Sequence, residues 1–96
     1  MSIETENALG HLTAIHDYIA QNSVRYAQGM VDRITRRTEK LAQFPELGGT
    51  VPEYEDQSIR EVLERPYRIV YRVTKNRVEI LAVVHGARRL PPDIPC

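Results

Sequence analysis

The chain has 96 residues, 42% apolar and 27% charged, with zero net charge at neutral pH, the make-up of one small soluble domain spanning 1–96 with a single core. No apolar run approaches the ~18 residues of a membrane span, and residues 1–7 lack the basic and apolar regions of a secretion signal, so a cytoplasmic protein without membrane contact is expected. The single cysteine, Cys96, excludes an internal disulfide and a cysteine metal cluster, and neither metal nor cofactor is expected.

The zero balance conceals a division. Up to Asp56 there are five Lys/Arg against nine acids, a charge of −4; from Gln57 onward there are eight against four, a charge of +4. A basic C-terminal half suits an anionic partner, but its magnitude is below that of a sequence-independent nucleic-acid binder, so no direct nucleic-acid contact is expected.

In chain order, residues from about Thr5 to Gln21 place Leu9, Leu12, Ile15 and Ile19 at steps of three and four, which predicts an amphipathic helix. Asn22-Ser23 interrupts it, and Ser23 is the expected N-cap of a second helix running to about Phe44. Val24, Ala27, Met30, Val31, Ile34, Leu41 and Phe44 lie near its inner face; Arg33, Arg36, Arg37, Glu39 and Lys40 form an outer charge stripe, read as solvated in preference to a nucleic-acid-binding face. The short link makes the pair an antiparallel hairpin. His11 and His16, five apart on the first helix, are not spaced to share a metal and read as surface or core-edge residues.

Pro45 ends the second helix because proline cannot continue the hydrogen-bond ladder. Gly48-Gly49 and Pro52 mark a loop with a turn, and Glu53, Glu55 and Asp56 read as its solvated acidic end. Period-two alternation then takes over. Tyr67, Ile69, Tyr71 and Val73 alternate with Arg68, Val70, Arg72 and Thr74; Val78, Ile80, Ala82 and Val84 alternate with Arg77, Glu79, Leu81 and Val83.

Lys75-Asn76 is the length of a two-residue hairpin turn, which pairs Thr74 with Arg77, Arg72 with Glu79, Val70 with Leu81 and Arg68 with Val83. In that register one sheet face is wholly apolar and belongs under the helices. The other carries Val70, Leu81 and Val83 among Arg68 and Arg72. Such a face is either a binding groove or is covered by a loop or tail of the same chain. After the last strand, His85-Gly86-Ala87-Arg88-Arg89 forms a basic tip before prolines at 91, 92 and 95. It suits an acidic protein surface or a phosphate backbone, unless Arg88 simply pairs with Glu61.

The run Pro66-Tyr67-Arg68-Ile69-Val70-Tyr71-Arg72-Val73, followed by His85-Gly86-Ala87-Arg88, resembles the RelE/ParE superfamily of type II toxin–antitoxin toxins, and more narrowly its ParE branch. Tyr18-Ile19-Ala20, Phe44-Pro45-Glu46-Leu47-Gly48, Val51-Pro52-Glu53 and Arg60-Glu61 stand in the matching order, so the likeness covers nearly all of the chain after Asn7. It implies an α+β fold, with an N-terminal helical hairpin packed on a three-stranded antiparallel sheet. Only residues 1–4 are available for the family's first strand, so that strand is expected to be short or absent, leaving a neighbouring edge open.

The resemblance leaves two activities. RelE-like members are ribosome-dependent mRNA endonucleases; ParE-like members act on DNA gyrase. Arg68 and Arg88 match arginines of the nuclease site, with His85 as the candidate acid or base, but the site's two lysines fall on Ile59 and Glu61 here. A carboxylate where phosphate should sit favours the gyrase-inhibiting, non-catalytic reading, and His85 is then better read as stabilising its turn. The resemblance further implies a ParD-like antitoxin, in a heterotetramer or larger complex. Arg68, Val70, Arg72, Leu81 and Val83 are expected at the antitoxin contact, and Arg60, Arg88 and Arg89 at the target contact. A degenerate toxin that only binds antitoxin is the third reading.

Overall fold

The computed structural model describes residues 2–75 and 77–90. Asn76 of the expected hairpin turn, the prolines at 91, 92 and 95, and Cys96 lie outside them. Thr5 and Ser23 set the two helices. The Thr5 hydroxyl accepts from Ala8 N–H at 3.2 Å and opens α1, Glu6–Ala20. Ser23 Oγ accepts from Tyr26 N–H at 3.0 Å and opens α2, Val24–Gln43, which Phe44 caps before Pro45. Both caps satisfy helix-end donors that have no partner within the helix. No helix among the described residues is long and apolar enough to cross a membrane.

The strands are β1, Ser2–Glu4; β2, Gly49–Thr50; β3, Ile59–Glu64; β4, Tyr67–Thr74; and β5, Arg77–His85. They form one sheet of order β1-β5-β4-β3-β2, in which β1 runs parallel to β5 and the other neighbours are antiparallel. The expected three long antiparallel strands are thus present, with a short strand added at each edge. The first strand is short rather than absent.

The helices bury Ala8, Ile15, Met30, Ile34 and Leu41 against Val62, Tyr67, Ile69, Tyr71, Val78, Ile80 and Val83. Leu12 and Ile19 pack at its margin as their spacing predicts, whereas Leu9, Val24 and Phe44 are exposed. At the far side of α2, Arg33 and Arg37 reach Glu64 of β3 at 3.8 and 3.7 Å.

The hairpin register holds only for its first half. Thr74 pairs with Arg77 and Arg72 with Glu79, but a bulge intervenes at Val70/Tyr71; beyond it Val70 pairs with Ala82 and Arg68 with Val84. Leu81 is the extra residue, opposite no single partner. A one-residue slip exchanges the faces of everything that follows. Val83 therefore belongs to the helix-side core, while Ala82 and Val84 face away from it.

That other face is no open groove. Val51, Ile59, Val70, Ala82, Val84 and Leu90 make a second buried cluster with Tyr54 packed on it. The chain between β2 and β3 and the segment following β5 cover Val70 on this face, Val83 is buried on the helix side, and Leu81 at the bulge is buried as well. Of the two alternatives for this face, cover by the same chain is correct.

Two polar devices complete the frame. The Tyr71 hydroxyl donates to Pro45 O at 2.7 Å and accepts from Gly48 N–H at 2.9 Å, while Arg60 Nη1 donates to Gly48 O at 2.8 Å. Gly48 is required there, because a Cβ would run into the Glu61 carbonyl and the Tyr71 hydroxyl. At the opposite edge β1 stops at Glu4, and α1 takes over the backbone of β5. Thr5 Oγ1 donates to Ile80 O at 2.8 Å, Asn7 Nδ2 to Leu81 O at 2.8 Å, and Val83 N–H donates to His11 Nδ1 at 3.1 Å. The edge expected to be open is therefore satisfied by side chains over these residues.

Tyr71→Phe removes both hydroxyl contacts and leaves the buried Gly48 N–H without an acceptor. Urea unfolding should show a loss of about 1–3 kcal/mol. His11 can accept from Val83 only as the neutral ring, and burial, aided by the nearby Arg88 charge, holds its pKa below the ordinary value of 6.5. A depressed folded pKa means the contribution is complete above the unfolded value and is lost as pH falls through the folded one. Thermal melts should therefore show stability declining as pH drops below 6.5, and His11→Gln should flatten that decline.

Candidate functional site

The site is built on β4. Arg68 projects from the face opposite the helices, diagonal to Glu61 across the β3–β4 pairing, in which Leu63 is its direct partner. Its side chain is 8% exposed, and the guanidinium donates to Glu61 Oε1 at 2.6 Å, Glu53 Oε2 at 2.9 Å, Glu53 Oε1 at 3.0 Å and Arg88 O at 3.3 Å. The Glu53 pair is bidentate, the geometry in which a planar fork meets a carboxylate best. Glu53 Oε2 also accepts from Leu90 N–H at 3.1 Å. One arginine thus joins β3, the β2–β3 connection and the exit of β5.

The electrostatics follow from the contacts. Hydrogen bonding to Arg68 holds the Glu53 carboxyl well down, at about 2, and Glu53 and then Glu61 hold the Arg68 guanidinium all the more firmly protonated. Glu53 is therefore not the solvated acid its loop composition suggests. The solvated reading fits Glu55 and Asp56, both exposed; Asp56 Oδ1 accepts from the Ser58 hydroxyl and N–H, which lowers its pKa.

Around this floor the chain turns sharply. Gly86 N–H donates to Pro66 O at 2.7 Å, Arg88 N–H to His85 O at 2.9 Å, and Ala87 N–H to His85 Nδ1 at 3.2 Å. The Tyr67 ring meets the His85 ring edge-on at 6.1 Å. His85 thus spends one nitrogen on its own turn. The Arg88 and Arg89 side chains are exposed and make no hydrogen bond or ion pair among the described residues. The pairing of Arg88 with Glu61 does not occur, because Arg68 already holds Glu61.

Two hollows meet at Arg88. One, of about 480 Å³, has Glu53, Glu61 and Arg68 as its floor, with Leu63, Arg88 and Arg89 around it. The other, of about 330 Å³, lies between α1 and the paired ends of β4 and β5, with His11, Tyr18, Tyr67, His85 and Arg88 in its wall. The floor of the first carries two carboxylates and one guanidinium, a net negative charge. Its rim is positive.

The candidate residues from the sequence are only partly brought together. Arg68, Arg88 and Arg89 share the first hollow. Arg60 does not join them: it sits on the helix side of the sheet, bonded to Gly48. Arg72 lies on β4 in register with Glu79, and Val70, Leu81 and Val83 are interior. Glu53 and His11 were missed as organising residues. A signal for Glu53 existed, since an arginine within an apolar strand requires a nearby acid once buried. Among the described residues no group of three His, Cys, Asp or Glu is placed to hold a metal ion.

Truncating Arg68→Ala leaves two carboxylates facing each other in a half-dry site and should cost about 3–5 kcal/mol. Since the Glu53 pKa is depressed, its contribution is present above 4.5 and lost as pH falls toward about 2. Acid unfolding followed by circular dichroism should show that loss in the natural chain and not in Glu53→Gln.

Comparison with known proteins matches residues 3–90 to the family described as ParE toxin of type II toxin-antitoxin system, parDE. Toxin RelE2 of Caulobacter vibrioides is 40% identical over 85 residues, covering 88% of this chain and 92% of that relative. A structure described as the chromosomal ParDE TA system from P. aeruginosa superposes with a TM-score of 0.72 at 28% identity, covering 88% of this chain and 92% of its own.

Proposed function

Because this chain belongs to the family of ParE toxins of type II toxin–antitoxin systems, we propose that it arrests growth by binding DNA gyrase in the cytoplasm and that a ParD-like antitoxin neutralises it. The observation that carries the reading is the engagement of Arg68 by Glu53 and Glu61. An RNA-cleaving site needs cations free to hold the scissile phosphate and to stabilise its charged transition state. Here the guanidinium at that position is committed to two carboxylates, and the floor around it would repel a phosphate. His85 is tied into its own turn at Nδ1. The same residues support a toxin that works by contact and not by bond breaking.

The name of the Caulobacter relative favours the second reading, a RelE-like ribosome-dependent nuclease. That reading needs Arg68, His85 and Arg88 to act together, which would require Arg68 to leave both acids. A degenerate toxin that keeps only antitoxin binding is the remaining alternative.

The exposed Arg88 and Arg89 are the proposed target contact, Arg60 being on the other side of the sheet. With Val70, Leu81 and Val83 interior, we assign the antitoxin contact to the helical hairpin, where Tyr18, Val24 and Tyr26 are exposed, and to Arg72 at the sheet. A heterotetramer or larger assembly is the expected complex.

Purified protein should abolish gyrase supercoiling or trap cleaved plasmid, with reversal by antitoxin. Codon-positioned mRNA cuts in a ribosome-dependent primer-extension assay, with gyrase unaffected, would falsify this assignment. Arg88→Ala with Arg89→Ala should abolish growth inhibition while leaving the melting temperature nearly unchanged, because neither side chain makes a hydrogen bond or ion pair among the described residues.

A further inference from the structure

The outer face of α2 carries a feature that the toxin reading does not use. Arg33, Arg36, Arg37 and Lys40 line a shallow depression of about 200 Å³, with Glu64 of β3 as its remaining wall among the described residues. Glu64 is shared between Arg33 and Arg37 at 3.8 and 3.7 Å, both at the outer limit of an ion pair. The Arg36 and Lys40 side chains are exposed and make no hydrogen bond or ion pair among the described residues. Four cations therefore face one carboxylate, in a chain whose net charge is zero. Glu39, which the sequence places in the same stripe, is not part of the depression.

We propose that this face of α2 binds the phosphate backbone of duplex DNA. Arg33 to Lys40 spans about 10 Å of helix at 1.5 Å per residue, with the cations at steps of three and four on one side. The depression has only charged side chains in its lining. A protein partner would need an apolar, charge-poor centre to its interface, whereas a phosphate backbone needs none. A single strand would seek a free aromatic platform, and the Tyr26 ring beside Arg33 already has that guanidinium over it at 5.8 Å. Contacts of this kind position a protein on DNA without reading sequence. The inference is independent of whether gyrase is the protein target.

The test is fluorescence anisotropy of the purified protein with a short labelled duplex, titrated at several salt concentrations. With three to four phosphates neutralised, log K should fall against log[salt] with a slope of about −3 to −4. Arg36→Gln with Lys40→Gln removes two contacts, so the slope should shrink by about two and binding at low salt should weaken at least tenfold. Lys40→Gln alone should shrink it by about one, which preserves the test if the double variant is poorly folded. Lys75→Gln with Arg77→Gln changes net charge equally outside the depression and should leave the slope intact. No binding at about 50 mM salt, or equal losses in the α2 and control variants, would overturn the proposal. So would displacement by oligoglutamate as efficiently as by duplex of equal charge, which would point to an acidic protein.

Discussion

The contact on which the lower half of the molecule depends is the grip of Arg68 on Glu53 and Glu61. Isolated, such a set contributes little to stability. Desolvating three charges offsets much of their attraction, and an apolar replacement of equal shape is often neutral or better. What the set supplies is position. Glu53 is held by Arg68 and in turn holds Leu90 N–H, while Arg68 also holds Arg88 O. The loop before β3 and the segment after β5 are thereby fastened to one strand, and their apolar residues Val51, Tyr54 and Leu90 close over Val70, Ala82 and Val84. The second core and the placement of the basic tip share one origin.

The helices were legible because their punctuation is local. Ser23 and Pro45 act within a turn of themselves, and the spacing of Leu12, Ile15 and Ile19 requires no knowledge of a partner. The first half of the β4–β5 register was legible for the same reason, since Arg72 and Glu79 mark a common face. Its second half was not. Ile80 to Val84 is an unbroken apolar run, and a run without polar residues carries no record of which side each member takes. The slip at Leu81 is thus invisible in the residues that undergo it.

The acidic loop shows a different limit. Glu53, Glu55 and Asp56 are alike in composition, yet Glu53 alone meets Arg68, fifteen positions away. Only the register of β3 on β4 and the path of the loop decide that. His11 has the same character: its acceptor role follows from β1 ending where α1 begins, a matter of topology. Glu61 could be read as hostile to phosphate from the sequence. That it neutralises the very arginine a nuclease would use required the geometry.

The sheet's two ends bear on how this molecule can be recognised. One edge strand is the two residues Gly49–Thr50; the other is the three residues Ser2–Glu4, beyond which α1 occupies the backbone of β5 with Thr5, Asn7 and His11. A partner that recognises sheets by lengthening them needs a row of vacant main-chain groups. Along β5 it would first have to lift the start of α1. Along that edge recognition is left to side chains, and side chains can be changed one at a time. An edge closed in this way lets the fold alter what meets it there without altering how its strands pair.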